Sequence, residues 1–316
     1  MVRETFVDLL GQDTAIALLH QAIAQQRVAP AYLFAGPSGV GRQLAAARFA
    51  ECLLGQVTVP PSPTLRRRID ARNHPDLLWV EPTYLHKGKP VTAAEAEELD
   101  LKRKSPPQIR LEQIREIARF LSRPTLEAER AVVVIEGAET MAESPANGLL
   151  KTLEEPGEAT LILLAPDSAH LLPTLISRCQ TIPFRRLAPA TMATILQQTG
   201  HGEILQRPDI LALAQGSPGQ AIAAWQQLNT MPANLIAALS QPPTSLQAAL
   251  ELARQVSQEL DTESQLWLVD YLQQVIWEHQ RSPSTLQTLE QARNHLRRFV
   301  QPRLVWEVTL MRFVQP

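Results

Sequence analysis

Apolar positions along the first 183 residues change period several times. Over residues 14–26 they recur at helical spacing (Ile16, Leu19, Ile23), and the short apolar run Ala31-Tyr32-Leu33-Phe34 that follows predicts a buried strand. A turn holding three glycines then opens a helix over 43–54. Residues 76–80 and 131–135, the latter Ala-Val-Val-Val-Ile, predict two further strands, with a helix over 111–122 between them. Residues 160–164 predict a fourth strand and 180–183 a fifth. Strands alternating with helices imply parallel β-α-β units, hence a sheet covered on both faces with binding loops at the strands' carboxyl ends.

From residue 190 the strand signal fades into helical segments, punctuated at Gly216-Ser217-Pro218-Gly219 and at Gln241-Pro242-Pro243. Beyond residue 245 the pattern predicts three or four helices. One of them carries Leu266, Trp267, Val269, Leu272, Val275 and Ile276 around much of its circumference, so it is expected at the centre of a bundle. From residue 261 onward, six arginines balance six carboxylates, which suits packing against protein rather than DNA. Two stretches are less orderly. Residues 57–69 are proline-rich and end in Arg66-Arg67-Arg68-Ile69, and residues 84–107 carry Glu95, Glu97, Glu98 and Asp100 before Lys102, Arg103 and Lys104. Both are expected to be solvated surface excursions with a short charged helix.

At 316 residues the chain has room for two or three compact units, and 45% hydrophobic with 20% charged residues excludes disordered and fibrous classes. Thirty basic against 32 acidic residues give a formal charge of −2, which argues against a chain that holds many phosphates by itself. Cys52 and Cys179 are too few and too far apart for a disulfide framework or a CxxC zinc site. No signal core and no membrane-length apolar run is present, so a cytoplasmic setting without membrane contact is expected. Glycine is scarce, 13 against 25 prolines, which makes the bunching of Gly36, Gly39 and Gly41 conspicuous.

Gly36-Pro37-Ser38-Gly39-Val40-Gly41-Arg42-Gln43 follows a predicted strand and opens a predicted helix, the context of a phosphate-binding P-loop. In a working loop, backbone N–H groups cradle phosphates, a lysine reaches the β and γ phosphates, and a small hydroxyl ligates magnesium. Here Arg42 stands for the lysine and Gln43 for the hydroxyl, so the loop reads as degenerate, with weak or vestigial ATP binding left open. Either the glycines shape a tight turn and nothing more, or they still hold a phosphate. Residues 132–139 have the form of a Walker B strand, in which Glu136 could face a metal. Gly137 occupies the place of the water-activating carboxylate, with Glu139 beyond it.

The segment Ala146-Asn147-Gly148-Leu149-Leu150-Lys151-Thr152-Leu153-Glu154-Glu155-Pro156, with Leu171-Leu172-Pro173-Thr174-Leu175-Ile176-Ser177-Arg178-Cys179, closely resembles the bacterial clamp-loader branch of the AAA+ proteins. Gly11-Gln12, His74-Pro75-Asp76 and Gly216-Ser217-Pro218-Gly219 support the likeness, which covers essentially the whole chain. The resemblance implies an α/β AAA+ domain over 1–187, with a P-loop NTPase-like parallel sheet and flanking helices. It further implies a small helical lid over 188–230 and a C-terminal helical collar over 231–316.

The same resemblance gives Arg178 a role, with Ser177 and Cys179 as its motif: an arginine finger projected into the ATP site of a neighbouring subunit. Taken alone, Arg178 would be a surface arginine at a helix C-terminus. The implied function is that of a non-motor member of the loader ring, with ATPase motor subunits and the delta subunit as partners, reaching the sliding clamp and primed DNA through the complex. No cofactor is required on this view. Zinc is not expected either, because only Cys52 stands where many relatives carry a cysteine cluster, and no metal site is assigned. Ala165-Pro166 replace polar sensor residues, and Gly219 stands where active loaders carry an arginine. The alternative is an ATP-hydrolysing AAA+ motor, which needs Arg42 to act as the lysine and Glu136 or Glu139 as the base. A stand-alone DNA-binding protein is a third possibility, disfavoured by the neutral charge.

Overall fold

The computed structural model describes residues 5–55, 62–99, 106–169, 171–239, 241, 243–279, 282–298 and 300–314. They divide into two compact units, one ending at Ile195 and one beginning at Leu196. Residues 57–61, Asp100, the basic run Lys102-Arg103-Lys104, Pro242 and Arg281 lie outside the described residues.

The first unit contains α1 (Asp13–Ala24), β1 (Ala31–Ala35), α2 (Arg42–Leu54), α3 (Pro63–Asp70), β2 (Leu77–Val80), β3 (Tyr84–His86), β4 (Lys89–Val91), α4 (Ala93–Glu98), α5 (Leu111–Leu121), β5 (Ala131–Ile135), α6 (Glu143–Glu154), β6 (Ala159–Ala165), α7 (Pro173–Ile176) and β7 (Gln180–Pro183). Five strands form one sheet in the order β2-β5-β6-β1-β7, and every neighbouring pair is parallel. This is the expected α/β fold. The two-residue period of the strands divides the core. Tyr32, Phe34, Val132, Val134, Ile162 and Leu164 face α1 and α2, where Leu19, Ala46 and Phe49 meet them. Leu33, Val133, Ile135, Leu161 and Leu163 face the other way, against Ile114 and Ile117 of α5 and Leu149 and Leu153 of α6.

The His74-Pro75-Asp76 motif fastens this sheet. Asp76 is buried and accepts N–H bonds from Leu126, Glu127 and Ala128 at 2.7–2.8 Å, pinning the loop before β5 to the start of β2. Its own N–H donates to His74 Nδ1 at 3.2 Å. Burial works against the Asp76 charge, but the three N–H donors outweigh it and hold the carboxyl below its usual range.

The two expected excursions are more built than solvated. Ser62 caps α3 by accepting from Thr64 N, with Pro63 at the first helical position. Its arginines are anchored: Arg66 Nε spans both oxygens of the buried Glu51 at 3.1 and 3.0 Å, and Arg68 pairs with Glu127 at 2.7 Å. Buried Arg48 completes the cluster, reaching Asp8 and Asp70 at 2.8 Å each. Thus the stretch holds α3 on α2 by charge, and Ile69 enters the core. Residues 84–91 form a hairpin turning on Lys87 and Gly88, both at positive φ (50° and 80°), as a two-residue type I′ turn requires. A Thr92/Glu95 capping box starts α4.

The helix α8 (Pro189–Gln198) carries the division between units. The second unit holds α9 (Pro208–Ala214), α10 (Pro218–Thr230), α11 (Ala233–Leu239), α12 (Leu246–Glu259), α13 (Thr262–His279), α14 (Pro283–Arg297) and α15 (Pro302–Val314). Among the described residues beyond 245 there are four helices: α13 packs against α9 and α14, and α12 runs along α15. Leu268, Val269, Leu272, Val275 and Ile276 of α13 are buried, whereas Leu266 and Trp267 are half-buried. Residues 196–230 of the expected lid share this second unit with the expected collar range, linked where Tyr271 Oη donates to Asp209 at 3.0 Å and Gln227 Nε2 to Ser264 Oγ at 3.1 Å, whereas 188–195 lie in the first unit. Among the described residues no helix is long and apolar enough to cross a membrane.

Asp76→Asn is expected to cost about 2 kcal/mol of stability near neutral pH, the scale of hydrogen bonds to a charged acceptor. Because the folded carboxyl titrates below its unfolded value near 3.9, that contribution is full above about pH 4 and lost as pH falls through the folded value. Urea melts of the two proteins at several pH values should therefore converge on acidification.

Candidate functional site

The loops expected to bind lie at the carboxyl ends of β5, β6 and β1, which are adjacent in the sheet. The turn after β1 is set by close approach. A Cβ at Gly36 would overlap the main chain of Phe184, whose N–H bonds Ala35 O at 2.7 Å, while Gly36 N–H donates to Ala165 O. Gly39 and Gly41 hold φ of 75° and 103°, the left-handed region that glycine enters without strain. Buried Gln12 locks the loop from behind: its Nε2 donates to Val40 O at 3.1 Å and to Arg185 O at 2.7 Å, and its Oε1 accepts from Arg185 N. The backbone of this glycine loop is thus sterically set and supported from behind.

Its side chains do other work. Arg42 Nη2 folds back onto Ser38 Oγ at 3.1 Å, and Nη1 is buried without a hydrogen-bond partner. Burial pulls the Arg42 guanidinium below its usual range, against the field of Glu139 and Glu136. Glu136 is engaged at both oxygens. Gln43 Nε2 donates to its Oε2 at 2.5 Å, while Oε1 accepts from Arg72 Nη2 at 2.8 Å and from Trp79 Nε1. Arg72 also pairs with Glu81 at 2.8 Å and lies 4.8 Å over the Trp79 ring. Gly137 sits at φ 56°, and a Cβ there would come within 2.6 Å of Pro82 Cγ, so this backbone has no room for a carboxylate-bearing residue. Residue 136 offers no vacant carboxylate, 43 no hydroxyl and 42 no ammonium, so these side chains do not fit a magnesium ion.

Arg178 is placed differently. It follows the short helix α7, where Ser177 Oγ donates to Thr174 O at 3.1 Å. Arg178 Nη1 donates to the same carbonyl at 3.0 Å and Nη2 to Glu154 at 2.8 Å, and both charged side chains are exposed. The structure brings together residues 36–43 with Glu136; Arg178 bonds to neither. Cys179 and Cys52 are partly buried, and burial pushes both thiols up to about 11, which makes them poor nucleophiles. Among the described residues no cluster of three or more His, Cys, Asp or Glu could hold a metal ion.

Arg72 and Trp79 escape sequence reasoning. Their link to Glu136 spans 64 and 57 residues and exists because β2 pairs with β5. No local pattern marks them; the available signal was that Trp79 lies on a predicted strand and Arg72 just before His74-Pro75-Asp76.

A family model described as DNA polymerase III, delta subunit matches residues 11–188, and one described as Cyanobacterial DNA polymerase III delta prime, C-terminal domain matches residues 190–313. A DNA polymerase III subunit delta' of Bacillus subtilis is 34% identical over 182 residues, 56% of this chain and 49% of that protein. One of Pseudomonas aeruginosa is 32% identical over 209 residues, 64% of this chain and 57% of that protein. The chain therefore spans about half the length of these relatives. The fold is shared with a DNA polymerase III gamma subunit-related protein of Thermotoga maritima, at TM-score 0.58 and 16% identity over 96% of this chain and 99% of that one. With one family model covering more than half of the chain and a second taking up where it ends, the chain belongs to the DNA polymerase III delta prime family.

Proposed function

We propose that this chain is a non-motor subunit of the DNA polymerase III clamp loader, in which it supplies Arg178 to the ATP site of a neighbouring motor subunit. Its partners on this proposal are the ATPase motor subunits and the delta subunit, and through the assembled ring the sliding clamp and primed DNA. The carrying observation is the contrast between its two charged centres. Glu136 takes three donors from its own chain, whereas Arg178 stands at the surface on one exposed carboxylate and one carbonyl. A planar five-donor fork held so lightly suits stabilisation of charge on a transferring γ-phosphoryl group. Its own loop keeps a phosphate-shaped backbone but turns nothing over, so no cofactor is required and no resident metal is assigned.

In a loader reconstituted from purified subunits, Arg178→Ala is expected to lower DNA-stimulated ATP turnover at the adjoining site by about 10³-fold or more, the scale of an arginine finger. Arg178→Lys should not restore it, since an ammonium lacks the fork. Unchanged turnover would remove Arg178 from the neighbour's chemistry. Titrating the chain alone with ATP and magnesium should give no tight, magnesium-dependent binding; such binding would instead support a motor subunit.

A further inference from the structure

We infer that Arg72 is the resident counter-cation of Glu136: a guanidinium of the same chain fills the electrostatic role that a divalent metal would take there, and it closes the site to magnesium independently of residues 42 and 43. The inference deepens the proposed reading of a phosphate loop without turnover and rests on it.

Strand geometry delivers the parts. Glu136 follows β5 in step with Val132 and Val134, so it points to the sheet face that α2 covers, where Gln43 opens the helix. Its N–H bonds Val80 O at 2.8 Å, which sets β2 alongside and carries Trp79 to the same carboxylate. Arg72 arrives from the turn after α3 at φ 54°, a left-handed backbone that residues with a Cβ seldom adopt. It is held there on three sides, by Glu136, by Glu81 and by the Trp79 ring.

Gln43 alone could not exclude a metal, because turning its amide would present an oxygen in place of the NH₂. Arg72 has no such option, since a guanidinium offers donors only and keeps its charge. A divalent ion on Glu136 would face that fixed positive charge across the carboxylate. Restoring a lysine at 42 and a hydroxyl at 43 should therefore leave the metal position closed.

The test compares full-length wild type, Arg42→Lys/Gln43→Thr, and that pair with Arg72→Gln added, titrated with a fluorescent ATP analogue with and without magnesium. Magnesium is expected to tighten binding at least about tenfold only in the triple variant, the scale of removing one unit charge from beside a divalent ion near a protein surface. Arg72→Lys on the same pair keeps the charge and should not respond to magnesium. Equal tightening in the double and triple variants would overturn the inference. So would a triple variant that melts like the double yet shows no magnesium response. Arg72→Ala replaces Arg72→Gln should the latter melt below the assay temperature. Tight magnesium-dependent binding by wild type would instead defeat the reading of the loop itself.

Discussion

The close approach of Gly36 to Phe184 fixes the centre of this fold. Strand β1 lies between β6 and β7, and its carboxyl end can turn into α2 only where residue 36 lacks a Cβ, because the main chain of Phe184 occupies that volume. Gly39 and Gly41 then supply the left-handed backbone that brings the chain onto the first turn of α2. These demands are steric and hold whether or not a phosphate is bound. Residues 42 and 43 are under no such demand, whereas at 137 the positive φ and Pro82 favour glycine. The shape of such a loop and its chemistry are thus separable, and on the proposed reading this chain keeps the first without the side chains of the second.

Much of the architecture is legible in the sequence because it follows from periodicity. The strands near 31, 77, 131, 160 and 180 are short apolar runs, and their alternation with helices implies the parallel sheet. What local pattern could not show is pairing by charge. Arg66-Arg67-Arg68 looks like a solvated run until Glu51 proves to be buried opposite Arg66, and Arg72 looks unremarkable until sheet order sets Trp79 beside Glu136. The hairpin over 84–91 was missed for a different reason. Its turn residues are Lys87 and Gly88, without an Asn-Gly or Asp-Gly signal, and Pro90 lies within its second strand.

The motifs that carried the family resemblance are mainly structural. Asp76 ties a loop to β2, Gln12 ties the phosphate loop to the segment after β7, and Ser217 caps α10. Each supplies a hydrogen bond that the backbone needs and that few other residue types provide. A family can therefore be recognised through residues that hold the scaffold, while the groups that decide activity are read one position at a time.

Two similarly exposed arginines with different partners carry the two proposed roles in this chain. Arg72 is fixed by two carboxylates and an aromatic face and donates to an oxygen that also takes an indole N–H. Exchanging it for a soluble ion means breaking all of these contacts together and leaving a mostly buried carboxylate to be repaired. Arg178 is held by Glu154 in a solvent-exposed pair, an arrangement worth about 0–1 kcal/mol, plus one carbonyl. An incoming phosphate can displace that carboxylate at little cost. On the proposed readings, the same guanidinium chemistry serves as a resident cation where several partners share it, and as an exchangeable donor where one exposed carboxylate and one carbonyl hold it. The two side chains are 41% and 37% exposed, so the number of partners, more than accessibility or residue type, separates them.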